Sequence, residues 1–240
     1  MSIRIASLAA VGLFAAGCHV GADAENRDPG AEVTRSYQVG AFDRLEVAGP
    51  YEVNVVTGGQ VGVSARGGEN LLAETEVVVE NNVLKIQPKK KKGIRWNWRN
   101  GKAVFTVNAA ALHGAAIAGS GGVTVDKVAG DFLGEVAGSG DLKVGQIAGG
   151  RVKFDIAGSG GVEAAGKADT VDISIAGSGD INLGGLASRS ADVSIAGSGN
   201  VRANASETAN VSIMGSGDVD ISGGAKCKVS KAGSGDVRCG

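Results

Sequence analysis

Aromatic residues make up only 4% of the 240 residues, which excludes a core built on stacked rings. The interior has to come from Val, Ile, Leu and Ala. Histidine is scarcer still: His19 and His113 stand far apart, so neither a Ser/His/Asp set nor His/Cys spacing for zinc is suggested. We therefore expect no cofactor and no metal site. A net charge of -1 gives no general attraction to nucleic acid, so an electrostatic partner must be held by a local patch. The apolar run from Ile5 to Ala16 is too short to cross a bilayer as a stable helix. What the chain has in plenty is glycine, 41 residues, together with 43% hydrophobic residues. That combination supports a sizeable core with many tight turns, and strands rather than helices.

The beginning reads as an address. "MSIRIASLAAVGLFAAGC" has a basic Arg4, an apolar run and small residues before Cys18, the layout of an export signal over residues 1–17. Its ending "AAGC" resembles a bacterial lipobox, with Ala15 where Leu is usual, and implies lipidation of Cys18. Ordinary cleavage with Cys18 as a bystander is the alternative. The polar residues that follow read as a tether over 18–35.

From residue 113 onward the chain repeats. Seven Gly-Ser-Gly triplets centre on Ser120, Ser139, Ser159, Ser178, Ser198, Ser216 and Ser234, at spacings of 19, 20, 19, 20, 18 and 18 residues. So regular a period means stacked units. Counted from the serine, the third position reads Val123, Leu142, Val162, Ile181, Val201, Val219, Val237, and the fifth is Val125, Val144, Ala164, Leu183, Ala203, Ile221, Cys239. Between them stand Thr124, Lys143, Glu163, Asn182, Arg202, Asp220 and Arg238. This alternation marks a half-buried strand. Before the serine the pattern recurs, as in Phe154-Asp155-Ile156 and Ile173-Ser174-Ile175. Each coil thus has two short strands joined by a glycine corner, with the length variation confined to the opposite, looser edge. The expected fold is all-β: a single-stranded parallel β-helix, or β-solenoid, with coils of 18–20 residues, right-handed on crossover geometry.

That alignment puts Cys227 and Cys239 at inward positions of the last coil, where they are expected to close a disulfide. Two buried free thiols are the alternative. The column after the corner, Gly122, Asp141, Gly161, Asp180, Asn200, Asp218 and Asp236, is expected to terminate turns by bonding its own backbone. Calcium binding fits poorly, because Gly/Asp calcium repeats recur about every nine residues. Asp218 and Asp236 on neighbouring coils would have the spacing of a glycosidase pair but are offered no pocket. The chain is therefore read as a non-enzyme, with a β-helix carbohydrate-active enzyme (polysaccharide lyase or hydrolase) as the alternative.

Residues 36–112 alternate less regularly and are expected to form the first, wider coils, with one helical turn at "ENLLAE". One stretch stands apart: Lys89, Lys90, Lys91, Lys92, Arg95 and Arg99 interleave with Trp96 and Trp98, the only two tryptophans, and no acid. Cations beside indoles suit an anionic envelope glycan or glycolipid. A solvated hairpin tip is the equal alternative.

Taken together, "VGAFDRLEVAGPYEVNVV", "ENLLAE" and the series "AGSGDL", "AGSGDI", "MGSGDV" resemble the head GIN domain family of bacterial auto-transporter adhesins, a domain of unknown function. The resemblance spans about residues 37–240 and implies a β-helical exported domain, often on a lipoprotein. It supplies no catalytic residues. The expectation is an exported, lipid-anchored protein of the periplasm or outer membrane that meets the membrane through its lipid only. It would be a binding, adhesion or structural module without nucleic-acid partners.

Overall fold

The computed structural model describes residues 26–89, 97–98 and 101–240; the expected signal and Cys18 lie outside them. Elements come in the order β1 (Asn26–Arg27), β2 (Glu32–Tyr37), β3 (Arg44–Ala48), β4 (Glu52–Thr57), β5 (Gly62–Gly68), α1 (Glu69–Ala73), β6 (Thr75–Glu80), β7 (Val83–Pro88), β8 (Asn97–Trp98) and β9 (Ala103–Ala109). The regular part follows with β10 (Gly114–Gly119), β11 (Gly122–Ala129), β12 (Phe132–Gly138), β13 (Asp141–Ala148), β14 (Arg151–Gly158), β15 (Gly161–Lys167) and β16 (Thr170–Gly177). It ends with β17 (Asp180–Gly197), β18 (Val201–Gly215), β19 (Val219–Ser222), β20 (Lys226–Gly233) and β21 (Val237–Cys239). Strands that lead into a Gly-Ser-Gly corner stack as one wall, and strands that leave it stack as a second. β17 and β18 run unbroken around the looser edge and serve both walls.

Neighbouring coils are parallel and in register, as the repeat predicts. On the leading wall Ile117 lies on Val136, then Ile156, Ile175, Ile195 and Ile213. On the trailing wall Val123 lies on Leu142, then Val162, Ile181, Val201 and Val219. All of these are buried, each contributing roughly 1.5–3 kcal/mol relative to exposure. Volume is balanced locally. Gly134 stacks on Phe154, and a Cβ there would stand 2.6 Å from both the Phe154 ring and Leu142. Register shifts fall between Val144 and Ile147, Glu163 and Ala165, and Asn182 and Ser190. These are the looser edge, where the sequence put its length variation.

The corners show why both glycines are required. The first of each triplet has positive φ, between 125° at Gly119 and 140° at Gly215. The second lies against the coil beneath: a Cβ on Gly179 would be 2.5 Å from the Gly160 carbonyl oxygen and 2.7 Å from Ile156 Cγ2. Stacked backbones leave room there for hydrogen only.

The N-terminal part shares this core but is threaded differently from a simple run of early coils. β3 and β4 form a complete coil whose corner is Gly49-Pro50-Tyr51. It lies between the β7/β9 coil and the β10/β11 coil, although it precedes both in sequence. Antiparallel β5 and β2 then extend the trailing wall and antiparallel β6 the leading wall, while α1 buries Leu71 and Leu72 beside them. The segment expected to be a tether up to residue 35 holds strand at Asn26–Arg27 and again from Glu32. Its alternating Val33 and Tyr37 half-bury themselves, and the free edge of β5 supplies a ladder.

Candidate functional site

Of the basic Trp stretch, Lys90, Lys91, Lys92, Arg95, Trp96 and Arg99 lie outside the described residues, and of Trp98 the backbone pairs with Arg27. Lys89 is described. Its amide donates to the Glu74 carbonyl at 2.8 Å and its Nζ to the Ala73 carbonyl at 2.6 Å, so its charge serves the end of α1. The stretch leaves the leading wall at Pro88, directly after β7.

Cys227 and Cys239 form a disulfide, with a Cα–Cα distance of 6.5 Å. In this coil Cys227 is half-buried and Cys239 exposed.

The column after the corners corrects one expectation. Its side chains reach up to the next coil rather than bonding their own backbone. Asp141 Oδ1 accepts from Gly161 N at 2.9 Å, Asp180 Oδ1 from Asn200 N at 3.0 Å, Asn200 Oδ1 from Asp218 N at 3.2 Å and Asp218 Oδ1 from Asp236 N at 2.8 Å. Parallel coils sit roughly 4.8 Å apart, which is the reach of a short polar side chain. The ladder is a staple between coils. It also accounts for Asp218, one half of the supposed glycosidase pair, whose oxygen is committed to the backbone of its neighbour. The corner serines point to solvent, and each amide from Ser139 to Ser234 donates to the first corner glycine of the preceding coil. Among the described residues no group of three or more His, Cys, Asp or Glu converges to hold a metal.

Sequence reasoning passed over the feature with the shape of a binding surface. On the outside of the leading wall, two residues before each serine, Ala118, Ala137, Ala157, Ala176 and Ala196 stack in register on Ala48 and are exposed from Ala118 onward. They floor an open trough of about 680 Å³. Its polar margin is Glu46, Lys85, Gln87, Glu135, Asp155, Ser174 and Ser194. Lys85 is paired with Glu80 at 2.9 Å and Lys153 with Asp155 at 2.6 Å. The column continues into Met214, which is 70% exposed, so the floor rises there. The signal was in the sequence, since Ala is a weak strand former and yet recurs in the outward position of five consecutive coils.

A family model described as "Putative auto-transporter adhesin, head GIN domain" matches residues 41–225. The chain belongs to this family. Among solved structures, the head GIN domain chain is similar to one described as a putative adhesin from Bacteroides fragilis NCTC 9343. That pair is 23% identical with a TM-score of 0.80, covering 89% of this chain and 100% of the other. A structure described as a putative lipid binding protein from Parabacteroides distasonis ATCC 8503 is 24% identical with a TM-score of 0.77, covering 90% and 99%. A putative adhesin from Parabacteroides merdae ATCC 43184 is 19% identical with a TM-score of 0.67, covering 89% and 98%. At these identities the likeness establishes the fold. No protein with a curated description matches the chain.

Proposed function

We propose that this chain is an exported envelope protein, tethered by lipid at Cys18, that binds an anionic glycolipid without catalysis. The observation that carries the reading is the alanine trough. Its low apolar floor lets an extended apolar chain lie close to the wall, while the polar margin can hydrogen-bond a head group. The margin itself carries net negative charge through Glu46, Glu135 and Asp155, so the anionic group needs cations from elsewhere. The basic stretch is the candidate, because Gln87 lines the trough and Lys89 follows two residues later. Membership of an adhesin family, and a similar structure described as lipid-binding, agree with an exported binding module.

The test is flotation with vesicles of neutral lipid, with and without anionic glycolipid, alongside the soluble anionic glycan. Three proteins are compared: the unaltered chain, Ala157→Arg/Ala176→Arg, and a variant with Lys90, Lys91, Lys92, Trp96 and Trp98 changed to Ser. Lys89 is kept because it caps α1. We expect binding to glycolipid-bearing vesicles that falls at least roughly tenfold in both variants while melting is unchanged, about 1.4 kcal/mol of binding per tenfold. Full binding by the trough variant overturns the reading. Shortening of the glycan by the unaltered chain would instead establish the enzyme.

A further inference from the structure

The last coil departs from those beneath it. Three residues before the corner serine the inward row runs Ile117, Val136, Ile156, Ile175, Ile195 and Ile213, and then places Lys231 on Ile213. Lys231 bends over its own corner, and its Nζ donates to the Gly235 carbonyl at 2.6 Å. Val229, stacked on the buried Val211, is 46% exposed. Among the described residues β20 pairs only with β18, and β21 only with β19. The coil therefore offers free strand edges beside an apolar row, the arrangement on which a further strand adds. At the other end antiparallel strands and α1 close the stack.

A two-fold axis across the solenoid would set two such ends face to face, with their β20 strands antiparallel. It would also bring Lys226, Lys228 and Lys231 of one copy against the same lysines of the other, and like charges so placed repel. We propose that the last coil, residues 226–239, is a cap that keeps this end from pairing with the same end of a second copy, and that the Cys227–Cys239 disulfide holds the cap closed. A coil bonded on one side only is the first to fray. Once frayed, it uncovers Ala209, Val211, Ile213, Val219 and Ile221, an apolar row with no lysine in it. The disulfide ties β20 to β21, the two walls of the coil, and so blocks the opening.

The experiment uses the whole chain carrying Cys18→Ser, so that one disulfide alone responds. Amide hydrogen exchange and sedimentation velocity are followed with and without reductant. When oxidised, we expect protected amides in 226–239 and a monomer. When reduced, exchange there should rise about a hundredfold, with protection kept over 132–197, and a dimer should grow with concentration. Lys231→Ile should dimerise while still oxidised, and kept protection over 132–197 shows that it has folded. Unchanged exchange on reduction refutes the lock. Fast exchange in a chain that stays monomeric, or a monomeric Lys231→Ile, refutes the latent surface.

Discussion

Gly179→Ala separates two reasons for a corner glycine. Gly179 is not in the left-handed region, so alanine costs nothing through φ there, and the whole effect must come from the coil beneath. The added methyl would stand 2.5 Å from the Gly160 carbonyl oxygen and 2.7 Å from Ile156 Cγ2, against roughly 3.5–4.0 Å for an unstrained carbon contact. Ile156 is buried and cannot swing away, so the corner has to lift. Lifting it strains the bonds that flank it, Ser178 N to Gly158 O at 2.8 Å and Asp180 N to Gly160 O at 3.2 Å. Overpacking costs about 2 kcal/mol and one weakened hydrogen bond about 1 kcal/mol, giving roughly 3 kcal/mol. In a chain of this size that lowers Tm by roughly 6–12 °C. The control is Ser178→Ala, an exposed position expected to stay within about 0.5 kcal/mol of the parent. Thermal and urea melts followed by circular dichroism give both numbers. A Gly179→Ala protein as stable as Ser178→Ala would show that stacked backbones do not dictate the second glycine.

Asn200→Ala removes two steps of the side-chain ladder, the bond to Asp218 N at 3.2 Å and the one from its own Nδ2 to Asp180 Oδ1 at 2.9 Å. With water able to replace both, urea titration should register a loss of about 1 kcal/mol. Burial holds the Tyr51 hydroxyl above its ordinary pKa near 10, against the opposing effect of its bond to Thr75 at 3.1 Å. The unfolded chain releases that proton first, so stability is complete below pH 10 and falls as pH rises beyond it; Tyr51→Phe should flatten this alkaline slope in pH-dependent melts. Tyr37 Oη is buried without a partner among the described residues, so Tyr37→Phe should leave the urea midpoint unchanged or raise it slightly, and a loss above about 1 kcal/mol would mean that the hydroxyl is bonded after all.

The inward rows were legible because parallel stacking demands the same side-chain character at the same place in every coil. The same columns put Cys227 and Cys239 on one coil, and the reading of an exported chain favoured a disulfide over two free thiols; the bridge forms. Two things were hidden for physical reasons. The coil of β3 and β4 turns at Gly49-Pro50-Tyr51, where Tyr51 packs edge-on against Phe105 at 5.5 Å, so no Gly-Ser-Gly announces it and no local pattern tells that later strands enclose it. The destination of the Asp and Asn side chains was hidden because a column in a sequence does not say whether its members bond themselves or their neighbours. The alanine column is visible in the sequence, but it lies outside the inward pattern that defines the coils. Outward positions are free of packing, and the column four before the serine uses that freedom, running from Glu135 and Asp155 to Ser174. The column two before it does not, although Met214 stands exposed at one of its places and so a longer side chain fits. Stability gives no reason to keep a weak strand former at an exposed site where bulk is tolerated. What alanine preserves there is the depth of the trough, and filling it with Ala157→Arg/Ala176→Arg is therefore the change that should cost binding while sparing the fold.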